Sequence, residues 1–310
     1  MKEKIFNFKS IDGFNIFTYS WLPNKENEIK AVVQIAHGMA EHAARYHEFA
    51  EFLTDNGFGV YANDHRGHGK TAGSLDKVGF FAESNGWDLV VSDMHSLTEE
   101  IKKEHPNIPV FLLGHSMGSM LSRDYASKYG NEIRGLILSG TAADPGMLGN
   151  VGIAISKISG MLFGKESKSP LLDKLSFGAF NGKFKPNRTA FDWLSRDETK
   201  VDKYVRDPYC GSVFSKGFFY DMLTGLKKIH MKAEIGKIPT ALPIFFISGE
   251  KDPVGKNSNG VKKVVKMYGK SGIENVDLKF YPDARHEILN ETNREEVYRD
   301  ILSWISNILN

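Results

Sequence analysis

Over the first half of the chain, short apolar runs bounded by turn residues alternate with longer stretches in which apolar residues recur every three or four positions. The runs Ala31-Val32-Val33-Gln34-Ile35-Ala36, Gly59-Val60-Tyr61-Ala62, Val110-Phe111-Leu112-Leu113 and Leu136-Ile137-Leu138 read as buried strands. Phe49, Phe52 and Leu53 share one helical face, as do Leu89, Val90, Met94, Leu97 and Ile101. The second helix is expected to stop before His105-Pro106, because proline disfavours helical backbone in the residue ahead of it. Strand alternating with helix predicts a mostly parallel sheet covered on both faces. Ahead of it, Phe6-Asn7-Phe8 and Asn15-Ile16-Phe17-Thr18-Tyr19 alternate apolar with polar around Asp12-Gly13, the pattern of an antiparallel hairpin.

The alternation breaks from about Ala143 to about Lys237, a stretch rich in helix formers, aromatics and glycine with no strand pattern. It resumes at Pro243-Ile244-Phe245-Phe246-Ile247 and Val276-Asp277-Leu278-Lys279-Phe280, then closes on an amphipathic helix carrying Val297, Ile301, Trp304 and Ile308. A sheet that pauses after its sixth strand and then resumes predicts one core, residues 1–142 and 238–310, with a helical cap inserted at 143–237. In the early cap, Met147, Leu148, Val151, Ile155, Ile158, Met161 and Leu162 recur at helical spacing. They fit a helix packed on the cap, or an apolar face turned to lipid, with the packed reading slightly favoured.

Composition narrows the function. With 310 residues, 41% hydrophobic and 25% charged, the chain has the make-up of a globular protein with a sizeable core. A net charge of +2 supplies no field that would recruit nucleic acid. The lone cysteine, Cys210, cannot close an internal disulfide and is expected to be a small buried apolar residue, which favours a cytoplasmic location. No apolar run follows the first basic residues as in a signal peptide, and no stretch is expected to reach the length needed to span a bilayer. Transient contact with a membrane or micelle surface needs no span.

The sharpest chemical signal is Gly114-His115-Ser116-Met117-Gly118, lying between an apolar run and a plausible helix at Ser119 to Lys128. G-x-S-x-G in that context is a nucleophile elbow: a strained turn exposes the serine Oγ, and only glycine fits two positions to either side. Serine needs a base to take its proton, and a third group to orient that base. After Ser116 the chain offers only His230, inside the helical stretch, and His286, after the last strand; His286 is the expected base. Asp252, in a Gly- and Pro-rich turn after the preceding strand, is the expected acid, with Glu250 and Asp283 as rivals. The oxyanion would be met by backbone N–H groups of Met117 and of Met39, the latter in the turn His37-Gly38-Met39. His37, His42, His65 and His68 match no metal-ligand spacing, so neither metal nor cofactor is expected.

These residues resemble the monoglyceride lipase and lysophospholipase family of serine α/β-hydrolases. The resemblance rests on His37-Gly38-Met39-Ala40-Glu41-His42 with Arg45-Tyr46, Asp64-His65-Arg66-Gly67-His68-Gly69, Val110 through Gly118, and Gly249 to Asp252. It extends into the cap through Leu194-Ser195-Arg196-Asp197, Val201-Asp202 and Asp207-Pro208. The resemblance implies the α/β-hydrolase fold and cleavage of a monoacylglycerol or lysophospholipid ester through an acyl-enzyme. It assigns the triad to Ser116, Asp252 and His286 and the oxyanion donors to Met39 and Met117. Two alternatives are a peptidase of the same fold acting on short N-terminal residues, and a non-catalytic binding module.

Overall fold

The computed structural model describes residues 1–25 and 29–310. The chain opens with the expected hairpin, in which β1 (Lys2–Lys9) pairs antiparallel with β2 (Asn15–Leu22). Its turn uses Gly13 at φ 80°, a conformation that glycine adopts without penalty. Six further strands follow: β3 (Ala31–Ala36), β4 (Phe58–Asn63), β5 (Val110–His115), β6 (Gly135–Ser139), β7 (Ile244–Gly249) and β8 (Val276–Tyr281). They form one eight-stranded sheet in the order β1-β2-β4-β3-β5-β6-β7-β8, parallel from β4 onward. This is the expected α/β-hydrolase sheet.

Helices α1 (His47–Asp55), α2 (Gly86–Glu104) and α3 (Met117–Tyr129) connect the strands of the first half. Between β6 and β7 lie α4 (Gly146–Phe163), α5 (Pro170–Phe177), α6 (Glu198–Arg206), α7 (Lys216–Lys228) and the short α8 (Lys232–Ile235). Helix α9 (Asn259–Lys270) precedes β8, and α10 (Arg294–Leu309) ends the fold. As expected, α2 stops at Glu104, ahead of His105-Pro106.

Successive strand residues point to opposite faces, and the two faces bury separate cores. Val32, Leu112, Leu136, Leu138 and Phe246 pack with Val90, Met94 and Leu97 of α2, Leu121 and Tyr125 of α3, and Val261 and Val264 of α9. Their chain neighbours Val33, Leu113, Ile137, Phe245 and Ile247 pack with Phe49 and Leu53 of α1 and Val297, Ile301 and Ile305 of α10. A sheet covered on both sides leaves its strand ends as the place where chemistry can meet solvent.

Helix α4 departs from the expected pattern. The packed reading had its large apolar residues facing protein, yet the residues it buries are Gly149, Ser156 and Gly160. Met147, Leu148, Met161, Leu162 and Phe163 are 81%, 82%, 77%, 71% and 70% exposed. The small residues let α4 lie close on α7: a Cβ at Gly152 would come within 2.7 Å of Leu223 Cδ1. The expectation that no stretch approaches membrane-spanning length is also corrected. With 18 residues and mean hydropathy 1.3, α4 is long and apolar enough by length and composition. Lys157 and the interspersed glycines and serines hide it as an unbroken apolar run. The aromatics of residues 143–237 divide in the same way. Phe214, Phe218 and Phe219 are fully buried, whereas Phe177, Phe180, Phe184 and Phe191 keep exposed surface.

Candidate active site

Ser116 sits between the end of β5 and the start of α3 with φ 52° and ψ −119°, backbone that a side chain rarely adopts. The surroundings hold it there. Its N–H donates to Ser139 O of β6 at 2.9 Å, and its C=O accepts from Ser119 N at 2.9 Å and Ser119 Oγ at 2.6 Å. The flanking glycines are dictated by close backbone approach. A Cβ at Gly114 would lie 2.4 Å from Gly118 O, and one at Gly118 only 2.0 Å from Ala36 O at the end of β3. The elbow is thus pressed against the turn after β3, where a Cβ at Gly38 would stand 3.2 Å from Ser116 Cβ.

His286 follows β8 and is buried, as is Asp252 after β7. His286 Nδ1 donates to Asp252 Oδ1 at 3.0 Å, which leaves Nε2 as the bare nitrogen. Asp252 also accepts from Val254 N at 2.9 Å and Ser248 Oγ at 3.3 Å, so its carboxylate is fixed from three sides. Burial pulls the imidazole pKa down, but the charge and hydrogen bond of Asp252 outweigh it. With Glu287 and Glu41 adding to this, His286 titrates above its ordinary value. Gly140, at φ 58° after β6, leaves room for the pair, since a Cβ there would come within 3.1 Å of the imidazole. The His286 ring touches His115, the residue before Ser116, at 4.8 Å between ring centroids, and Trp193 at 5.1 Å.

The structure therefore brings Asp252, of the three candidate acids, to His286. Asp283 is exposed and 3.9 Å from Lys251 Nζ, and Glu250 is exposed. His230 turns Nδ1 to Leu226 O at 2.8 Å at the end of α7, within the helical stretch. His37, His65 and His68 pack together with ring centroids 4.2 and 5.2 Å from His37, and burial holds all three pKa values well below normal. His42 stands apart from them, 2.9 Å from Asp207.

Met39 and Met117 supply free main-chain donors. Among the described residues no acceptor takes either N–H, and Met117 is the first residue of α3, where the helix has no internal partner to offer. Gly38 is held through both its N–H and its C=O. Gly38 N donates to Glu41 Oε1 at 2.6 Å, and His37 Nδ1 donates to Gly38 O at 2.8 Å. The tautomer is set because His37 Nε2 accepts from His65 N at 2.9 Å. In a trans peptide the N–H points opposite to the preceding C=O, so drawing Gly38 O to His37 turns the Met39 N–H the other way.

Sequence reasoning assigned no role to the residues that brace this arrangement. Glu41 accepts from Tyr46 Oη at 3.0 Å and Arg45 Nη1 at 2.5 Å, and Arg45 grips Glu287 with two bonds of 2.8 and 2.7 Å. Burial would raise the Glu287 pKa, but Arg45 holds that carboxyl well below its usual range. The turn bearing Met39 is thereby tied to the residue after His286. The i, i+4 spacing of Glu41 and Arg45 was a visible signal; the partner at 287 was not.

The chain is similar to several named hydrolases. A monoacylglycerol lipase of Mycolicibacterium smegmatis is 30% identical, over 96% of this chain and 95% of its own. The human monoglyceride lipase is 27% identical, over 95% and 88% respectively. A thermostable carboxyl esterase from Bacillus coagulans, solved with glycerol, superposes over the whole of both chains with a TM-score of 0.92 and 29% identity. The family model described as "Serine aminopeptidase, S33" matches residues 27–293, and with that match over most of its length the chain belongs to this family of α/β-hydrolases.

Proposed function

We propose that this protein is a serine esterase that hydrolyses single-chain lipid esters, such as monoacylglycerol or a lysophospholipid, through an acyl-enzyme. The observation that carries the proposal is a buried imidazole–carboxylate pair, with Nε2 bare, whose ring packs 4.8 Å from that of His115, the chain neighbour of a serine in a strained elbow; among the described residues no acceptor takes the Met39 or Met117 N–H. His286 Nε2 takes the Ser116 proton as Oγ attacks the ester carbonyl. The Met39 and Met117 N–H groups hold the oxyanion, and the positive end of α3 adds to their effect. The imidazolium, steadied by Asp252, then gives its proton to the leaving alcohol. Water deprotonated by the same histidine attacks the acyl-enzyme, and the fatty acid leaves as Ser116 regains its proton.

In this reading residues 143–237 act as the cap. The outward apolar face of α4 is the part that meets a membrane or micelle surface, and Leu171 and Leu175 of α5 are exposed as well. The lipase names of the relatives support the lipid ester. A peptidase specific for N-terminal residues would need cap carboxylates free to hold an α-ammonium. Asp192 is occupied by Arg188 N and by Thr189 N and Oγ1, Asp197 caps α6 and pairs with Arg294, Glu166 and Glu198 are exposed, and Asp173 is half-buried on α5, where burial raises its pKa and weakens it as a charged partner for an ammonium.

The test combines Ser116→Ala with a fluorophosphonate probe. Wild type should label at Ser116 and hydrolyse monoacylglycerol, and the variant should do neither while folding normally, with turnover down by roughly 10⁴-fold or more. Labelled wild type that cleaves aminoacyl arylamides and ignores acylglycerols would replace the esterase with the peptidase. Absence of labelling would leave a binding module.

A further inference from the structure

Where the helical segment meets the turn after β3, three side chains of metal-ligating type converge. His42 closes that turn, Asp207 follows the last residue of α6, and Cys210 lies three residues on. One ligand atom from each lies within 4.8 Å of the other two, and His42 Nε2 is 2.9 Å from Asp207 Oδ2. The positions are set by main chain. Tyr209 N donates to Asp207 Oδ1 at 2.9 Å, which leaves Oδ2 to face His42, and Cys210 N donates to Asp207 O at 3.0 Å. Gly211 N donates to Ala40 O at 3.0 Å and staples this loop to the turn. The His42 and Asp207 side chains are 13% and 29% exposed, so a hydrated ion has a route in.

We propose that His42, Asp207 and Cys210 form a site for one zinc-class transition-metal ion, completed by water, whose occupancy pins the helical segment to the oxyanion-side turn. Imidazole nitrogen, carboxylate oxygen and thiolate sulfur are the donors that Zn²⁺ and Co²⁺ prefer, whereas Mg²⁺ and Ca²⁺ select all-oxygen shells. Metal–ligand bonds of about 2.0–2.3 Å in a tetrahedron place donors roughly 3.3–3.8 Å apart, a spread the three side chains reach by small rotations. No electron moves on binding. The Cys210 thiol, which burial keeps protonated, releases its proton to solvent as the metal–sulfur bond forms. The His42 proton that Nε2 donates to Asp207 Oδ2 exchanges through solvent onto Nδ1, which frees the Nε2 lone pair for the ion. Because Ala40 and Met39 belong to the same turn, the bound ion stiffens the oxyanion side and restrains the helical segment, which slows turnover.

The test is a cobalt titration of the reduced, chelator-treated full chain, following the sulfur-to-cobalt charge-transfer absorbance. Cys210 is the only cysteine, so that absorbance identifies it as a ligand. One Co²⁺ per chain should bind with a thiolate signal that Zn²⁺ abolishes by displacement. Cys210→Ser should lose the signal and at least about tenfold in affinity, and Asp207→Asn should keep the signal with weakened affinity. Circular dichroism melting checks that both variants fold; should Cys210→Ser fail to fold, the wild-type signal and Asp207→Asn decide. No thiolate signal at saturating cobalt, or undiminished affinity in a folded variant, overturns the site. The effect on turnover rests on the esterase reading and is read separately. Zn²⁺ should slow wild-type cleavage of a soluble ester, reversibly with chelator, and spare Cys210→Ser. Equal inhibition of both would locate the zinc effect elsewhere and overturn the coupling. A chain that cleaves no ester would refute the esterase while leaving the cobalt measurement intact.

Discussion

Helices α3 and α4 follow neighbouring strands of one sheet, β5 and β6, yet they are built in opposite senses. Helix α3 buries Met117, Met120, Leu121 and Tyr125 and packs even Gly118, Ser119 and Ser122 inside the protein. Helix α4 turns its small residues inward and its large apolar ones outward. Each large apolar side chain left in water forgoes about 1.5–3 kcal/mol of burial, so the outer face of α4 is not there for the stability of the isolated chain. Identity in α3 is decided by fit to neighbouring protein atoms; identity in α4 answers to what lies outside.

The largest effect that would separate the two helices is at Gly118. Gly118→Val puts branched carbon where even a Cβ lies 2.0 Å from Ala36 O, so it should cost at least about 3 kcal/mol and abolish activity, measured by denaturant unfolding and ester hydrolysis. The same glycine-to-valine change at Gly164, after α4, meets no neighbouring atom and is strained only by its φ of 87°, so it should cost far less. Next in size, Asp252→Asn should lower kcat by about 10³–10⁴-fold with little change in folding, because it unfixes the His286 tautomer. A smaller effect is expected from Leu148→Glu with Met161→Glu. Hydrolysis of dispersed long-chain monoacylglycerol should fall by about tenfold while cleavage of a soluble short-chain ester is unchanged. If both substrates suffer equally, α4 is not a surface-docking face.

The remaining effects are those of pH. His286 must be neutral to accept a proton, and its pKa is raised above 6.5, so the acid limb of kcat/KM should have its midpoint above 6.5. Stability runs the other way. Burial lowers His37 to about 3 and His115 to about 4, so the folded state binds fewer protons than the unfolded state, whose histidines titrate near 6.5. The stability these residues confer is present above 6.5 and is lost as pH falls towards 4. A melting series from pH 7 to 5 should show a steady decline. Helix α4 has no histidine, so the double glutamate variant should follow nearly the same slope.

Much of the site could be read from the chain because its signals are local. The glycines of the elbow answer to one turn, the order of serine, acid and histidine follows the order of the strands, and β5 announces itself by four apolar residues in a row. What could not be read depends on contacts across long stretches of sequence. Arg45 and Glu287 are 242 positions apart, and the packing of Trp193 against His286 arises only once the helical segment folds over the sheet. The seven apolar residues of α4 proclaimed a helix but not its orientation. The hint lay in the residues between them, since Gly149, Gly152, Ser156 and Gly160 mark a face that lies close against a neighbouring helix. Cys210, expected to be buried and inert, is only partly covered and lies beside His42 and Asp207, a grouping no spacing rule foretells.

The left-handed backbone at Ser116 has a consequence for stability. A glycine there would relieve about 1–3 kcal/mol of torsional strain at an entropic loss of about 0.5–1 kcal/mol, so Ser116→Gly should melt above wild type. The serine is thus held at a cost in stability, as a nucleophile exposed by a strained turn would be.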